Sequence, residues 1–234
     1  MARDDLRYEL KLASEAHLYE EIRALLRLHS VGLSPIHHPR RVQSLYFDSS
    51  SDEALGDNLA GISHREKIRF RWYGVGTVGV RGRLEKKVRE NMQGWKELGE
   101  VEGVFNIEGA RREDFKAAIA AATSPEWREL LSRDLEVVQW ISYEREYLAT
   151  SDGRVRVTLD RDLKTWDQRF SSRLSRRWRT PTPDLMILEC KVAPEDLERA
   201  QGLLESLPVS VDKCSKFVIA SSPGDAPLRS MRTS

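Results

Sequence analysis

The sequence predicts an α+β fold in which long antiparallel strands close into a β-barrel with flanking helices. Strand patterns outnumber helix patterns, and short polar or glycine-containing turns join several of the strands. Within each strand, apolar side chains occupy alternate positions and therefore share one face. The positions between them carry mainly Arg and Lys, in one strand after another. The sheet thus has an apolar face to bury and a basic face to neutralise.

The elements follow from residue spacing, since alternation predicts strands and a repeat of three to four residues predicts helices. The predicted strands cover 5–12, 41–48, 64–73, 80–91, 136–149, 154–162 and 184–192. The predicted helices cover 14–29, 111–122, 124–134 and 195–205, with one short helix inside the polar stretch 49–63. Ser14 is the expected N-cap of the first long helix. The glycine-rich stretch 74–79 and the pair Asp152-Gly153 are expected hairpin turns.

Composition and termini limit the classes of protein. Residues 1–221 are expected to form a single domain, and 222–234 a disordered tail. The 38 Lys and Arg residues nearly balance 37 Asp and Glu residues, so net charge identifies no partner. The two cysteines, Cys190 and Cys214, lack metal-ligand spacing. The sequence shows neither a signal-peptide pattern nor an apolar run of about 20 residues, so a cytoplasmic location is expected.

The basic strand faces favour a ligand inside the barrel. A solvated sheet face normally mixes Lys, Glu, Thr and Ser, and for any one strand an ordinary wet face is the simpler interpretation. Rows of Arg and Lys on neighbouring strands repel one another unless something neutralises them. A polyanion with a metal ion in the lumen would do so. The pattern therefore predicts a polyphosphate-type ligand, such as a nucleoside triphosphate, inside a basic barrel.

Eight short motifs occur in an order that resembles the VTC-domain polyphosphate polymerases. These belong to the triphosphate tunnel metalloenzymes, which also include the CYTH proteins. The motifs are RYELK at 7–11, SLYFD at 44–48, KIRFRWY at 67–73, LEKK at 84–87, YEREY at 143–147, RVRVTLD at 154–160, ILECK at 187–191 and DKCSKF at 212–217. The resemblance implies a tunnel-shaped antiparallel barrel, the triphosphate tunnel fold, over nearly the whole chain.

The resemblance also implies the site residues, by motif position. The arginines implied to act on the transferred phosphoryl group are Arg69, Arg71, Arg145 and Arg156. The lysines implied to bind phosphate or nucleotide are Lys11, Lys67, Lys87, Lys191, Lys213 and Lys216. Glu189 is implied to hold Mn²⁺ or Mg²⁺. Glu9 and Glu85 are weaker metal candidates, for which pairing with Arg and Lys is the favoured role.

The implied activity is ATP-dependent polyphosphate synthesis, in which the γ-phosphate of ATP passes to a growing chain. Two alternatives stay open, namely a tripolyphosphatase or nucleoside triphosphatase of the same fold, and a non-catalytic module that binds polyphosphate or nucleotide. The first strand reads Arg7-x-Glu9-x-Lys11, where the wider superfamily has E-x-E-x-K. This departure argues against a CYTH-type triphosphatase or cyclase.

ATP and polyphosphate are the expected partners. The stretch 169–179 is basic with interleaved aromatics, a weak nucleic-acid or acidic-lipid pattern, but a loop between two strands explains it better. No nucleic-acid partner is therefore expected. Multidomain members of the family carry a phosphate-sensing domain and transmembrane helices, neither of which the sequence predicts here. Any membrane role is expected to need a separate partner.

Overall fold

The computed structural model describes residues 8–90, 93–208, 210–211 and 216–221. The strands are β1 (Tyr8–Glu15), β2 (Ser34–Asp48), β3 (His64–Tyr73), β4 (Gly82–Glu90), β5 (Gln93–Glu100), β6 (Glu136–Ala149), β7 (Val155–Asp167), β8 (Leu185–Val192) and β9 (Ser210–Val211). The α-helices are α1 (Tyr19–Leu28), α2 (Glu53–Ala60), α3 (Arg112–Ala121), α4 (Pro125–Ser132), α5 (Leu197–Glu205) and α6 (Lys216–Ser221).

All nine strands form one antiparallel sheet in the order β5-β4-β3-β2-β6-β7-β8-β1-β9. The predicted α+β class is confirmed. Among the described residues, no backbone pairing joins β5 to β1 or β9, so hydrogen bonds do not close the sheet into a barrel. The sheet instead curls until β4 faces β1. There the Lys87 ammonium lies 2.7 Å from the Glu9 carboxylate, across five intervening strands.

Two apolar layers cover the outer face of the curled sheet. Helices α1 and α5 pack Ile22, Leu26 and Leu203 against β7 and β8, where Val157 and Leu188 are fully buried. Helices α3 and α4 cover the other half. Their apolar residues pack against the alternate apolar positions of β2, β3, β4 and β6, namely Leu45, Phe47, Ile68, Phe70, Trp72, Leu84 and Trp140. The alternation seen in the sequence thus fixes which strand face points outward.

The inner face is apolar at one end and charged at the other. At the apolar end, Phe217 and Ile219 of α6 pack with Ile141, Leu163 and Leu185 of the sheet. The charged end lies beside it on the same strand faces, because residues two apart share a face. Helix α6 therefore covers one end of the inner face and leaves the charged end open to a ligand.

Several element boundaries differ from the sequence predictions. Strand β5 was not predicted, because Gly94 and Gly99 interrupt its alternation. Ser14 is wrong as a helix N-cap, since it is buried in β1 opposite Met186. Strand β2 begins seven residues before the predicted 41–48, despite two prolines, because its first half pairs with β6 alone.

The expected tail 222–234 lies outside the described residues. Within the described part of the chain, no helix combines the length and apolar character needed to cross a membrane.

Gly99 makes the packing of β5 on α4 testable. A Cβ at this position would lie 2.5 Å from the buried indole of Trp127. We expect Gly99→Ala to lower the free energy of unfolding by about 1–3 kcal/mol, the usual range for overpacking. Urea denaturation measures the change. Gly56→Ala in α2 is the control, since its Cβ meets nothing within 4 Å; an equal loss in both variants would contradict the packing.

Candidate functional site

The charged end of the inner face carries ten cationic side chains and four carboxylates. They come from β1, β3, β4, β5, β6, β7, β8 and α6. The cations are Lys11, Lys67, Arg69, Arg71, Arg83, Lys87, Lys96, Arg145, Lys191 and Lys216, and the carboxylates are Glu9, Glu85, Asp160 and Glu189. We call this set the basic tunnel face. Its cations outnumber its carboxylates by six.

Glu85 on β4 is the centre of the first group of contacts. Its side chain is 1% exposed, and its Oε2 lies 2.6 Å from Nη2 of Arg69 and 3.5 Å from Nη1 of Arg71. The other oxygen lies 3.2 Å from Nε of Arg83 and 3.3 Å from Nζ of Lys96. Burial would raise the pKa of Glu85, but the neighbouring cations outweigh it and hold the pKa far below its usual range. One ionised carboxylate thus holds four cations in place.

Asp160 on β7 is the centre of the second group. It accepts two hydrogen bonds from Arg145, at 2.6 and 2.7 Å, in the paired geometry that orients a guanidinium plane. Nζ of Lys216, on α6, lies 2.5 Å from the same carboxylate. Burial opposes ionisation of Asp160, but Lys216 and Arg145 lower its pKa. This contact fixes α6 against the sheet and places its lysine on the basic tunnel face.

Glu189 on β8 and Glu9 on β1 form the third group. Nζ of Lys11 lies 3.0 Å from Glu9 and 3.9 Å from Glu189, and Nζ of Lys191 lies 3.2 Å from Glu189. Burial would raise the pKa of Glu189. The charge of Lys11, a hydrogen bond with Glu9, and the charges of Lys191 and Arg145 together keep that pKa well below its usual range. Two carboxylates therefore lie together, one of them ionised and buried, at the edge where β1 meets the rest of the sheet.

Two buried tyrosines accept hydrogen bonds from the arginine side chains. The hydroxyl of Tyr46 accepts a hydrogen bond from Arg69 at 2.8 Å, and that of Tyr143 accepts one from Arg71 at 3.1 Å. The guanidinium of Arg145 lies 5.3 Å from the Tyr143 ring centre. These contacts leave the three arginines little freedom to change conformation. A ligand would find them already arranged.

Lys67 lies in a small cavity with Tyr46, Arg69, Glu85, Lys87 and Lys96. Burial, followed by repulsion from Lys11, Lys87, Arg65 and Arg69, lowers its pKa to about 7. The site therefore holds a lysine that loses much of its charge near neutral pH. A polyanion in the cavity would restore that charge, because it favours the protonated form.

Most of the residues implied by the resemblance contact one another on this face. Arg156 lies on the same face of β7 as Asp160, opposite Lys191, but its side chain is exposed and donates a hydrogen bond to the Gly153 carbonyl at 3.3 Å. Lys213 lies outside the described residues. Lys191 is at the rim, with about half of its side chain exposed. The role of each remains a prediction.

Sequence reasoning did not assign five members of the site. Tyr143, Arg83 and Asp160 lie on strand faces that alternation had already identified as polar or basic, and that alternation was a signal that could have found them. Tyr46 lies on β2, whose faces the sequence prediction did not assign. Lys96 lies on the unpredicted strand β5, so no strand face was available on which to place it.

A divalent cation fits this donor set only in part. No group of three or more His, Cys, Asp or Glu side chains in the described ranges is placed to hold a metal. The pair Glu9 and Glu189 does offer hard oxygen donors, which Mg²⁺ and Mn²⁺ prefer. Such ions commonly complete their coordination with phosphate oxygens and water. The residues therefore fit an ion that arrives with a phosphate ligand.

The basic stretch 169–179 lies between β7 and β8, as predicted, and away from the basic tunnel face. Arg169 lies 2.6 Å from Asp52, and Arg176 lies 2.6 Å from Glu108. Phe170 and Trp178 are 91% and 77% exposed. Two of the five arginines in this stretch thus form ion pairs with neighbouring loops.

Comparisons with known proteins give a family and structures of similar fold. The family model for the VTC domain matches residues 3–222. A Vibrio parahaemolyticus protein proposed to be an adenylate cyclase, known from an X-ray structure, is similar in fold, with a TM-score of 0.51 and 11% identity over 92% of this chain and 98% of its own. A chain of the Schizosaccharomyces pombe Mediator head module gives a TM-score of 0.47 and 9% identity, over 88% of this chain and 96% of its own. No curated protein sequence matches significantly.

Removal of the Glu85 charge tests the first group of contacts. We expect Glu85→Gln to lower the free energy of unfolding by about 3–5 kcal/mol, because four cations then face one another without their common counter-charge. Inorganic tripolyphosphate should raise the melting temperature more in this variant than in wild type. Glu97→Gln, on an exposed part of β5, is the control. Equal stability of the two variants would contradict this arrangement.

Lys67 makes stability depend on pH. In the folded protein Lys67 is protonated only below about 7, whereas in the unfolded chain it stays protonated up to about 10.5. Between these values the unfolded state binds more protons, so stability rises with pH. We expect wild type to gain up to about 1.4 kcal/mol per pH unit between pH 7 and 9, relative to Lys67→Met. Urea titrations of both proteins at several pH values measure this difference. If stability changes with pH equally in both, the pKa of Lys67 is not lowered.

Proposed function

This chain belongs to the VTC domain family, and on that basis we propose that it is an ATP-dependent polyphosphate polymerase. The observation that carries the proposal is the basic tunnel face, whose cations exceed its carboxylates by six. A nucleoside triphosphate brings about four negative charges near neutral pH. The surplus therefore suits a triphosphate or a longer phosphate chain, and it suits no neutral substrate.

Phosphoryl transfer depends on positioning and on charge neutralisation more than on covalent chemistry from the protein. Arg69, Arg71 and Arg145 supply this, since each is held by a buried carboxylate or a tyrosine before the ligand arrives. Phosphate oxygens can accept hydrogen bonds from the guanidinium nitrogens that these partners leave free. The arginines would then stabilise the charge of the transition state without having to change conformation.

The lysines lie beside the arginines and close to one another. Lys67 and Lys87 line the cavity with Arg69, Lys11 and Lys191 lie near Glu189, and Glu9 contacts both Lys11 and Lys87. Each offers a point charge on a flexible chain, which suits a polymer that must move. The acceptor, the terminal phosphate of a growing chain, is already anionic, so no general base is needed.

Glu189, assisted by Glu9, would hold Mn²⁺ or Mg²⁺ together with phosphate oxygens. When bound, the ion supplies further neutralisation of the phosphate charge. The carboxylate of Glu189 is suited to this because its neighbours keep it ionised. Before an ion binds, the ammonium of Lys11 would neutralise both carboxylates.

A tripolyphosphatase is the second candidate, and one observation favours it. Helix α6 covers the apolar end of the inner face, so a chain that enters from the charged end meets Phe217 and Ile219. A short substrate needs no second opening, whereas a long product would have to leave by the charged end. For hydrolysis, Glu9 or Glu85 would have to position a water molecule.

The proposal predicts chain synthesis from ATP. Incubation with ATP and Mn²⁺, with and without a short polyphosphate primer, should give long chains on a polyphosphate-stained gel, with one ADP released per phosphate added. We expect Arg69→Ala and Arg71→Ala each to lower the rate by about 10²–10³-fold, since each removes a donor to the transferring group. Glu189→Ala should abolish chain synthesis, because the carboxylate that would hold the metal ion is removed.

Arg128→Ala is the matched control, because Arg128 is exposed on α4 and bonds only to nearby backbone carbonyls. It should retain wild-type rates. Free phosphate without chains would replace the polymerase by the triphosphatase. Binding of ATP or polyphosphate without either product would show that the protein is a non-catalytic binding module.

A further inference from the structure

An arginine close to two tyrosine rings lies beside the basic tunnel face and is not used by the chemistry above. The guanidinium carbon of Arg40, on β2, lies 5.0 Å from the Tyr73 ring centre and 4.9 Å from the Tyr147 ring centre. The ring of His37 packs edge-on against Tyr147 at 5.5 Å. Arg40 and His37 are exposed, and Tyr73 is 42% exposed. We call these four residues the aromatic mouth.

The aromatic mouth is continuous with the phosphate-binding arginines. Tyr73 follows Arg69 and Arg71 on the same face of β3, and Tyr147 follows Arg145 on the same face of β6. The guanidinium of Arg145 lies 6.0 Å from the Tyr147 ring centre, and Arg40 is the cross-strand partner of Arg145. A molecule with a flat aromatic group joined to a phosphate chain could therefore contact both regions at once.

The backbone of β2 is adapted to this place. Register shifts occur between Pro35 and His37 and between His37 and Arg40, and such irregularities redirect side chains. On the N-terminal side of Val42, β2 pairs with β6 but not with β3. One edge of this segment is therefore not paired within the sheet. Its backbone can offer donors and acceptors to the rim of a bound ring.

We propose that the aromatic mouth is a subsite for the nucleobase of a nucleoside triphosphate whose phosphates lie on the basic tunnel face. This rests on the proposed function and adds the nucleoside to it. Bases stack on tyrosine rings and on guanidinium planes, and such stacking tolerates any base but increases with ring size. The subsite should thus prefer purine to pyrimidine nucleotides without selecting one purine strongly.

The test compares ATP with inorganic tripolyphosphate, which has the phosphates but no base. Calorimetric titrations at fixed salt and Mg²⁺ would give the Kd of each for wild type, Arg40→Ala, Tyr73→Ala and Tyr73→Phe. We expect the two alanine variants to bind ATP about 5- to 100-fold more weakly, within the range of base stacking. Tripolyphosphate binding should change by less than about threefold, and Tyr73→Phe should bind ATP like wild type.

Arg177→Ala and Trp178→Ala provide the matched control. These residues form a similar stacked pair at 5.2 Å, in the loop 169–179 away from the tunnel. They should leave both affinities unchanged. The subsite is overturned if every variant binds ATP like wild type, or if ATP and tripolyphosphate weaken equally. If wild type binds neither molecule, the proposed function fails instead, and the subsite fails with it.

Discussion

The buried carboxylates of the inner face are the constraint on which the rest of this structure depends. Rows of Arg and Lys on neighbouring strands would repel one another strongly in an environment poor in water. Glu85, Asp160 and Glu189 each collect several of these cations, and all three stay ionised because of them. The carboxylates are too few to balance the cations fully. This partial neutralisation lets the protein fold without a ligand and leaves positive charge that favours the binding of an anion.

The same contacts connect stability with function. An arginine held by a carboxylate on one side keeps donors available on the other, so the interactions that hold the empty site also orient it. Lys67 shows the cost of this arrangement, since burial among cations lowers its pKa to about 7. The site thus combines a stable packed interior with positive charge that the carboxylates neutralise only in part. Such compromises are typical of binding sites.

Alternation within strands was sufficient to predict the class of fold and the face on which Arg69, Arg71 and Arg145 lie. It could not show which carboxylate holds which cation, because that depends on how neighbouring strands are aligned. It failed at β5, where glycines hide the period, and at Ser14, where a plausible cap is a buried strand residue. The role of Tyr46 depends on a contact with Arg69 across 23 positions in sequence. Spacing within one element cannot reveal such a contact.

The curled sheet is completed by side chains where a barrel would be completed by its backbone. The outer strands of the sheet are β5 and β9, and no ladder of peptide hydrogen bonds joins them among the described residues; the contact between Lys87 and Glu9 instead connects β4 to β1 through side chains. An ion pair of this kind, with each partner partly exposed, weakens as ionic strength rises, whereas a peptide ladder does not. High salt should therefore loosen the contact between β4 and β1 before it affects the pairing of neighbouring strands.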